Sequence, residues 1–350
     1  MAVTPPEAAR AADSAKDPRR LVTIIVPAYN EEANLPELRR RLGATLDGLS
    51  GYRFECLLVD NCSGDRTGEI AREIAAADPR WRYIRFSRNF GAEVSLAAGL
   101  HYARGDAVVF LWSDLQEPPE AIATMLSLWD EGYDVVYGTL RKRSDETILK
   151  TLGARLAYRL IYWLSEVKIP PNASDFRLLS RPVVEALDRC GERNRYLRGL
   201  VHWVGFRQAT FVYDRAARQR GRSTTNPLFL FNFAVNALVA FSVRPLRWAS
   251  AFGLVATLLS VLGAIVYATL SVLSRLRLVD LVPPPPGWST MMLVIFLFGG
   301  LQSVFLGVLG EYLAKVYVEV KQRPLWVVRE TAGFSPDQDP LAPPAERSGR

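Results

Sequence analysis

Three short polar clusters each follow an apolar, β-branched run: Asn30-Glu31-Glu32 after LVTIIVPAY, Asp60-Asn61 after FECLLVD, and Asp114-Leu115-Gln116 after DAVVFLWS. Taken singly, each cluster reads equally well as a turn or a helix N-cap. Three together, all after strands that read as parallel, mark a ligand crevice at the carboxyl ends of an open α/β sheet. A further carboxylate, Asp175, stands in SDFRLLSR beside Arg177 and Arg181. Arg215, Arg218, Arg220 and Arg222 then crowd into eight residues. Guanidinium pairs of this kind grip phosphate bidentately, although a basic run beside a membrane also attracts anionic lipid.

Other chemistries are disfavoured. No GxGxxG follows the first strand and no GxxxxGK[ST] occurs anywhere, which removes the main support for a dinucleotide dehydrogenase or a P-loop NTPase. Cys56, Cys62 and Cys190 form no CxxC, and with only His101 and His202 a zinc site is not expected. The cysteines read as small, partly buried side chains in a reducing compartment.

The elements that must position the clusters alternate from residue 21 to 140. LVTIIVPAY, FECLLVDN, WRYIRFS, DAVVFLWSD and DVVYGTL read as strands. NLPELRRRLGATLDGL, TGEIAREIAAAD, EVSLAAGLHYA and PPEAIATMLSLWDEG read as helices between them. That is the pattern of a parallel sheet covered by helices. From 151 to 227 the chain turns basic and helical, passes through PPNASDFRLLSRPVVEAL, and reaches a short run FRQATFVY.

The 350 residues carry 43 Lys+Arg against 36 Asp+Glu, a formal charge of +7, and the mean hydropathy is +0.05. That average hides two uncharged runs, 249–274 and 290–310. As helices they extend about 39 Å and about 31 Å, enough to cross a hydrocarbon core of roughly 30 Å. They predict a transmembrane hairpin, with both long flanks on one side. Arg244, Arg247, Lys315, Lys321 and Arg323 flank the pair, while Arg275 and Arg277 sit in the loop, so the positive-inside bias is present but mixed. MAVTPPEAARAADSAKDPRR has no apolar core and reads as a disordered arm rather than a signal peptide. The catalytic domain and both termini are therefore expected in the cytoplasm, with two spans in the cell inner membrane. Gly299, Ser303 and Gly307 form a small-residue stripe along the second span, suited to helix–helix approach and to a homo-oligomer (dimer or tetramer).

The expected organisation is a disordered arm at 1–20, a cytoplasmic domain at 21–226, and an interfacial helix at 227–247. Spans follow at 248–274 and 289–310, joined by an external loop at 275–288. A cytoplasmic helix and disordered tail at 311–350 complete the chain.

VPAYNEE, LLVDNCSGDRTGEI, FSRNFGAEVSLAAGL, ARGDAVVFLWSDLQEPPE, SDFRLLSR and GGLQSVFLGVLGEYLAKVYVEVKQRPLWVV together resemble the family 2 glycosyltransferases that load a sugar onto a polyprenyl phosphate. Dolichyl-phosphate mannose synthases and bacterial O-antigen glucosylation enzymes are of this type. The resemblance runs in order over about residues 21–330. It implies a GT-A, Rossmann-like α/β domain, inversion at the transferred sugar, a nucleotide-sugar donor, polyprenyl phosphate as acceptor, and Mg²⁺ or Mn²⁺. UDP and GDP both remain open, with a UDP-hexose favoured; membrane lipid is a partner and nucleic acid is not.

Carried over by position, Pro27, Tyr29 and Glu31 match the first nucleotide-binding loop, and Asp60 matches an acid contacting base or ribose. The family's Asp-Asp-Gly-Ser reads Asp60-Asn61-Cys62-Ser63 here. Trp112-Ser113-Asp114 matches the donor and metal motif, with tryptophan where aspartate usually stands; Asp114 and Gln116 match the metal contacts. Arg141, with Arg143 as an equal claimant, matches an arginine after the fifth strand. Asp175 matches the acid at the acceptor, acting either as a base or as a positioning group for Arg177 and the acceptor. Arg215, Arg218 and Ser223 match the basic segment that meets phosphate, although Ser-Lys-Tyr has become Ser223-Thr224-Thr225. A catalytically impaired scaffold of the same fold is the competing expectation, motivated by Trp112. A processive polysaccharide synthase lacks support because Gln-x-x-Arg-Trp is absent.

Overall fold

The computed structural model describes residues 18–140, 173–192, 196–214, 287–335 and 338–341, together with scattered helical positions between 253 and 273. Eight strands form one sheet: β1 (Leu21–Ala28), β2 (Arg53–Asp60), β3 (Trp81–Phe86), β4 (Ala107–Phe110), β5 (Val135–Leu140), β6 (Ala173–Ser180), β7 (Gln208–Tyr213) and β8 (Val328–Ala332). Their order is β7-β5-β6-β4-β1-β2-β3-β8.

The expected α/β, Rossmann-like sheet is present. β1 is buried at every position, as a strand covered on both faces must be, and so reads as a continuous apolar run. Its neighbours β2 and β4 are both parallel to it, and β3 is parallel to β2. The crossovers are α1 (Leu35–Asp47), α2 (Thr67–Ala77) and α3 (Ala92–Tyr102). In α1 the buried residues Leu35, Leu38, Leu42 and Leu46 recur at helical spacing and form the stripe it lays on the sheet. In α3, a Cβ at Gly99 would come within 2.4 Å of Ile25 Cγ2, so only glycine permits this close approach to β1. A one-turn 3₁₀ segment (Pro119–Ala121) leads into α4 (Ile122–Asp130), the prolines falling where a first turn tolerates them.

The sheet is not purely parallel. β6, which carries SDFRLLS, inserts antiparallel between β4 and β5. β7 then pairs parallel with β5. Nothing in the helical and turn reading of this stretch marked it as a central strand, because its partners are distant in sequence. The consequence is functional: the start of β6 lies beside the end of β4, with Phe110 opposite Arg177. β6 runs directly into α5 (Arg181–Arg189), and α6 (Leu197–Trp203) follows.

Beyond residue 322 the chain returns to the sheet as a strand that the sequence reading did not mark. β8 pairs antiparallel with β3, and Arg72 of α2 forms an ion pair with Glu330 at 2.6 Å. Trp326 Nε1 donates to the Tyr102 hydroxyl at 3.3 Å.

Compact packing divides the chain into two units. The first comprises residues 1–155, 167–226 and 323–350 and contains the sheet; the second comprises 156–166 and 227–322. In the second unit, α7 (Trp288–Lys321) is a single helix of 34 residues. Met291, Val294, Ile295, Phe298, Leu306 and Leu309 are exposed along it. Ser303 Oγ bonds back to the Gly299 carbonyl at 2.9 Å, and Cβ atoms at Gly299 or Gly307 would meet open space. Counted over the described residues alone, no helix is long and apolar enough to cross a membrane. The complete sequence of α7, by contrast, has no charge between 290 and 310, and its 34 residues extend about 51 Å. The two-span hairpin therefore rests on sequence, and most of its first span and all of 227–247 lie outside the described residues.

Candidate functional site

The polar clusters fall at one edge of the sheet, where β1, β2 and β4 end and β6 begins. Each of the three loops has one non-glycine residue with positive φ: Asn30 at 56°, Cys62, next to Asp60-Asn61, at 63° and Leu115 at 58°. Such left-handed residues reverse a chain within a short loop and are costly for L-side chains. Cys62, where the resembled motif has glycine, adopts the left-handed conformation that glycine favours.

The first two loops are knit together. Asp60 is fully buried and accepts hydrogen bonds from Ser63 N–H at 2.8 Å, Ser63 Oγ at 2.5 Å and the Tyr83 hydroxyl at 3.2 Å. Arg85 Nε approaches it at 3.4 Å, an ion-pair distance without hydrogen-bond geometry. The Asn30 amide donates to Ser63 Oγ at 2.9 Å, Gly64 N–H donates to Asn30 Oδ1 at 2.8 Å, and Glu31 N–H donates to Thr67 Oγ1 at 2.8 Å. Asn61 extends the network to the loop after β3, accepting from Phe90 N–H at 2.8 Å and donating to Asn89 Oδ1 at 2.9 Å. Asp60 thus acts on the loop itself. Tyr29, 49% exposed, stands free of the core above it.

The loop after β4 is anchored where the strand order reverses between β1 and β4. Ser113 is buried and its Oγ donates to the Pro27 carbonyl at 2.9 Å. Asp114 Oδ1 accepts from Gln116 N–H at 3.2 Å. Gln116 is only 8% exposed, and its Oε1 is buried without a hydrogen-bond partner. An orphaned buried oxygen beside a carboxylate suits a hard cation. Among the described residues no group of three His, Cys, Asp or Glu side chains is arranged to hold a metal by itself. A cation here would take one carboxylate and one amide oxygen, leaving its other positions to water and phosphate, which fits Mg²⁺ or Mn²⁺.

Glu117 joins this loop to β6. It accepts from Trp112 N–H at 3.3 Å and from Ser174 Oγ at 3.2 Å, and Ser174 Oγ in turn accepts from the Tyr213 hydroxyl at 2.8 Å. Burial, reinforced by the charges of Asp114 and Asp175, outweighs these donors and pushes the Glu117 carboxyl up to about 8. Trp112 is half-buried, and its backbone N–H is committed to Glu117.

Asp175 follows on β6. Arg198 of α6 clamps it with a planar fork, Nε to Oδ1 at 3.0 Å and Nη2 to Oδ2 at 2.5 Å. Arg177 Nη2 adds a third contact at 3.1 Å to Oδ1, and also donates to the Ser174 carbonyl at 3.0 Å. Arg177 and Arg181 are not a helical pair. Arg177 is a strand residue, 2% exposed, whose Nε lacks a partner, while Arg181 opens α5 and binds the Gly105 carbonyl from its Nε at 2.8 Å, at the far end of β4. Burial depresses the Arg177 pKa, opposed by Asp175. Glu93 of α3 completes the group: its Oε2 accepts from Leu197 N–H at 3.2 Å, and burial followed by the Asp175 charge pushes it up to about 7.

Pro27, Trp112, Ser113, Asp114, Gln116, Asp175 and Arg177 are thus gathered where β1, β4 and β6 meet, with Tyr29, Glu31 and Asp60 in the adjoining loops. Arg141, Arg215, Arg218 and Ser223 lie outside the described residues. Glu93, Glu117, Ser174 and Arg198 escaped the sequence reading. Neither Glu117, before Pro118-Pro119, nor Arg198 stands in a spacing that singles it out. All three cysteines are free, Cys56 buried and the others half-buried.

The Glycosyl transferase family 2 profile matches residues 23–188. An uncharacterized glycosyltransferase of Synechocystis sp. is 40% identical over 314 residues, 89% of this chain and 96% of that protein. An SfII prophage-derived bactoprenol glucosyl transferase of Shigella flexneri is 34% identical over 315 residues, 90% of this chain and 99% of that one. Among solved structures, mannosyl-3-phosphoglycerate synthase from Rubrobacter xylanophilus is similar with a TM-score of 0.44 at 17% identity, covering 70% of this chain and 78% of the other. Two near-full-length relatives above one-third identity leave one conclusion: this chain is a glycosyltransferase and belongs to glycosyl transferase family 2.

Proposed function

We propose that the protein transfers a single sugar, with inversion, from a nucleotide-sugar donor to polyprenyl phosphate at the cytoplasmic membrane face, a UDP-hexose being the favoured donor. The observation carrying this reading is the 3.2 Å contact of Ser174 with Glu117, which ties the Asp114–Gln116 loop to the strand bearing Asp175. Donor-binding and acceptor-binding groups are thereby held side by side. The bactoprenol glucosyl transferase name of the Shigella flexneri relative supports the acceptor class.

The loops after β1 and β2, shaped by Asp60 and presenting Tyr29 and Glu31, hold the nucleotide. Trp112, Ser113 and Arg141 complete the donor pocket. Asp114 and Gln116 would hold Mg²⁺ or Mn²⁺, which when bound neutralises charge gathering on the departing diphosphate. An acceptor phosphate oxygen attacks the anomeric carbon from the opposite side, and the sugar–diphosphate bond breaks to release the nucleoside diphosphate. A phosphate monoester is largely dianionic near pH 7, its second pKa being about 6, so it needs no base to become nucleophilic. Asp175 therefore serves to position Arg177 and the acceptor. Arg215, Arg218 and Ser223 bind phosphate at the acceptor entrance. The segments 248–274 and 289–310 form a two-helix hairpin that keeps the polyprenyl tail in lipid.

Purified protein would be given a panel of nucleotide sugars with and without polyprenyl phosphate. Nucleotide release from one donor, dependent on polyprenyl phosphate and divalent metal, is expected. Release from none would favour the impaired scaffold that Trp112 brings to mind.

A further inference from the structure

The acceptor side of the crevice has more guanidinium than its carboxylates consume. Arg198 uses Nε and Nη2 on Asp175, and its side chain stays 29% exposed although its partner is only 24% exposed. Among the described residues its remaining nitrogen, Nη1, has no acceptor. Arg177 lies behind it, 2% exposed, with Nε unpartnered and its Nη2 shared between Asp175 and the Ser174 carbonyl. Asp175 thus takes contacts from both guanidinium groups, and Arg177 Nε still lacks an acceptor. Buried donors without acceptors are costly, and such an excess is relieved by an anion.

Two contacts fix Arg198 in place. Asp175 locks the guanidinium plane, and Glu93 accepts from the backbone of Leu197, the residue before it. The orientation is therefore set before any ligand arrives, which lowers the ordering cost of binding.

We propose that Arg198 is a phosphate-binding residue of the acceptor site, oriented by Asp175 and Glu93 so that its free edge receives the terminal phosphate of the polyprenyl acceptor. The inference rests on the proposed reading of Asp175 as the acceptor-side acid and deepens it. Asp175 becomes a positioning residue whose substrate contact is made through Arg198. The groups facing Glu93 are Asp175 and Arg177 from β6, and Tyr196 and Arg198 at the start of α6.

The test measures KM for a short-chain polyprenyl phosphate and for the donor separately, in Arg198→Lys, Arg198→Gln and wild type, with thermal unfolding recorded for each. Acceptor KM is expected to rise about tenfold or more in Arg198→Gln and less in Arg198→Lys, with donor KM within twofold of wild type; a hydrogen bond to a charged group is of that size. Binding of nucleoside diphosphate to each variant, which needs no acceptor, reports folding of the donor side independently. Wild-type acceptor KM in both variants overturns the proposal. So does a parallel loss of donor and acceptor affinity, which marks a structural role. If wild type itself shows no turnover dependent on polyprenyl phosphate, the functional reading fails first.

Discussion

Asp114 is the one full negative charge in the proposed metal pair with Gln116, Trp112 standing where the resembled motif has aspartate. Asp114→Ala is expected to leave the fold intact and to slow turnover roughly 10²–10³-fold, equivalent to about 3–4 kcal/mol of lost transition-state stabilisation. Activity measured in saturating Mg²⁺ and Mn²⁺ checks this. Trp112→Asp restores a second carboxylate and is expected to lower the metal concentration needed for half-maximal activity. The competing role for Trp112, stacking on base or sugar, would show instead as weaker donor binding with unchanged metal dependence. Cys62 holds φ at 63°. A left-handed side chain costs roughly 1–2 kcal/mol, partly offset by glycine's greater unfolded-state freedom. Cys62→Gly should therefore stabilise the protein by about 0.5–1 kcal/mol in denaturant titration. Glu93 carries the pH signature. Its folded-state pKa is raised to about 7 from 4.5, so the folded form retains a proton that the unfolded chain gives up. Its contribution to stability is present below pH 4.5 and declines as pH rises towards 7. The side chain is only half-buried, so the decline should be about 1–2 kcal/mol, and Glu93→Gln should flatten it in melting curves recorded across that window.

At the scale of elements, most of the scaffold was legible because local pattern and tertiary role agree. LVTIIVPA and FECLLVD are continuous apolar runs and became the buried parallel strands β1 and β2. Leu35, Leu38, Leu42 and Leu46 keep helical spacing and became the packed face of α1. The failures share a cause. β6 and β8 pair antiparallel with strands far away in the chain, and periodicity carries no record of such partners. The site divides the same way. Asp114, Gln116 and Asp175 follow strand ends or stand in a recognisable motif, whereas Arg198 enters only because α6 folds back over β6. The basic segment after β7 yields its own prediction. Arg215→Lys and Arg218→Lys each preserve charge but lose the planar two-donor fork. In neutral detergent each should lower kcat/KM by roughly 1–2 kcal/mol of transition-state binding if these residues grip phosphate. Wild-type rates for both would leave only attraction to anionic lipid.

At the scale of the molecule, the sheet gathers the loops after β1, β2 and β4, the Asp114–Gln116 pair and the Asp175–Arg177–Arg198 group along one edge. A separate unit contains a 34-residue helix with an uncharged stretch. On the proposed reading, the sugar leaves a soluble donor and arrives on a membrane-held phosphate. The most direct measurement follows the sugar itself. Protein in mixed micelles would be supplied with the labelled UDP-hexose selected by the donor panel, Mg²⁺ or Mn²⁺, and polyprenyl phosphate, and the label partitioned between organic and aqueous phases. The account predicts label in the organic phase as a polyprenyl-phosphate sugar, one per acceptor, absent when polyprenyl phosphate or metal is omitted. Label that stays aqueous as free sugar, or extends into a polymer, would contradict it.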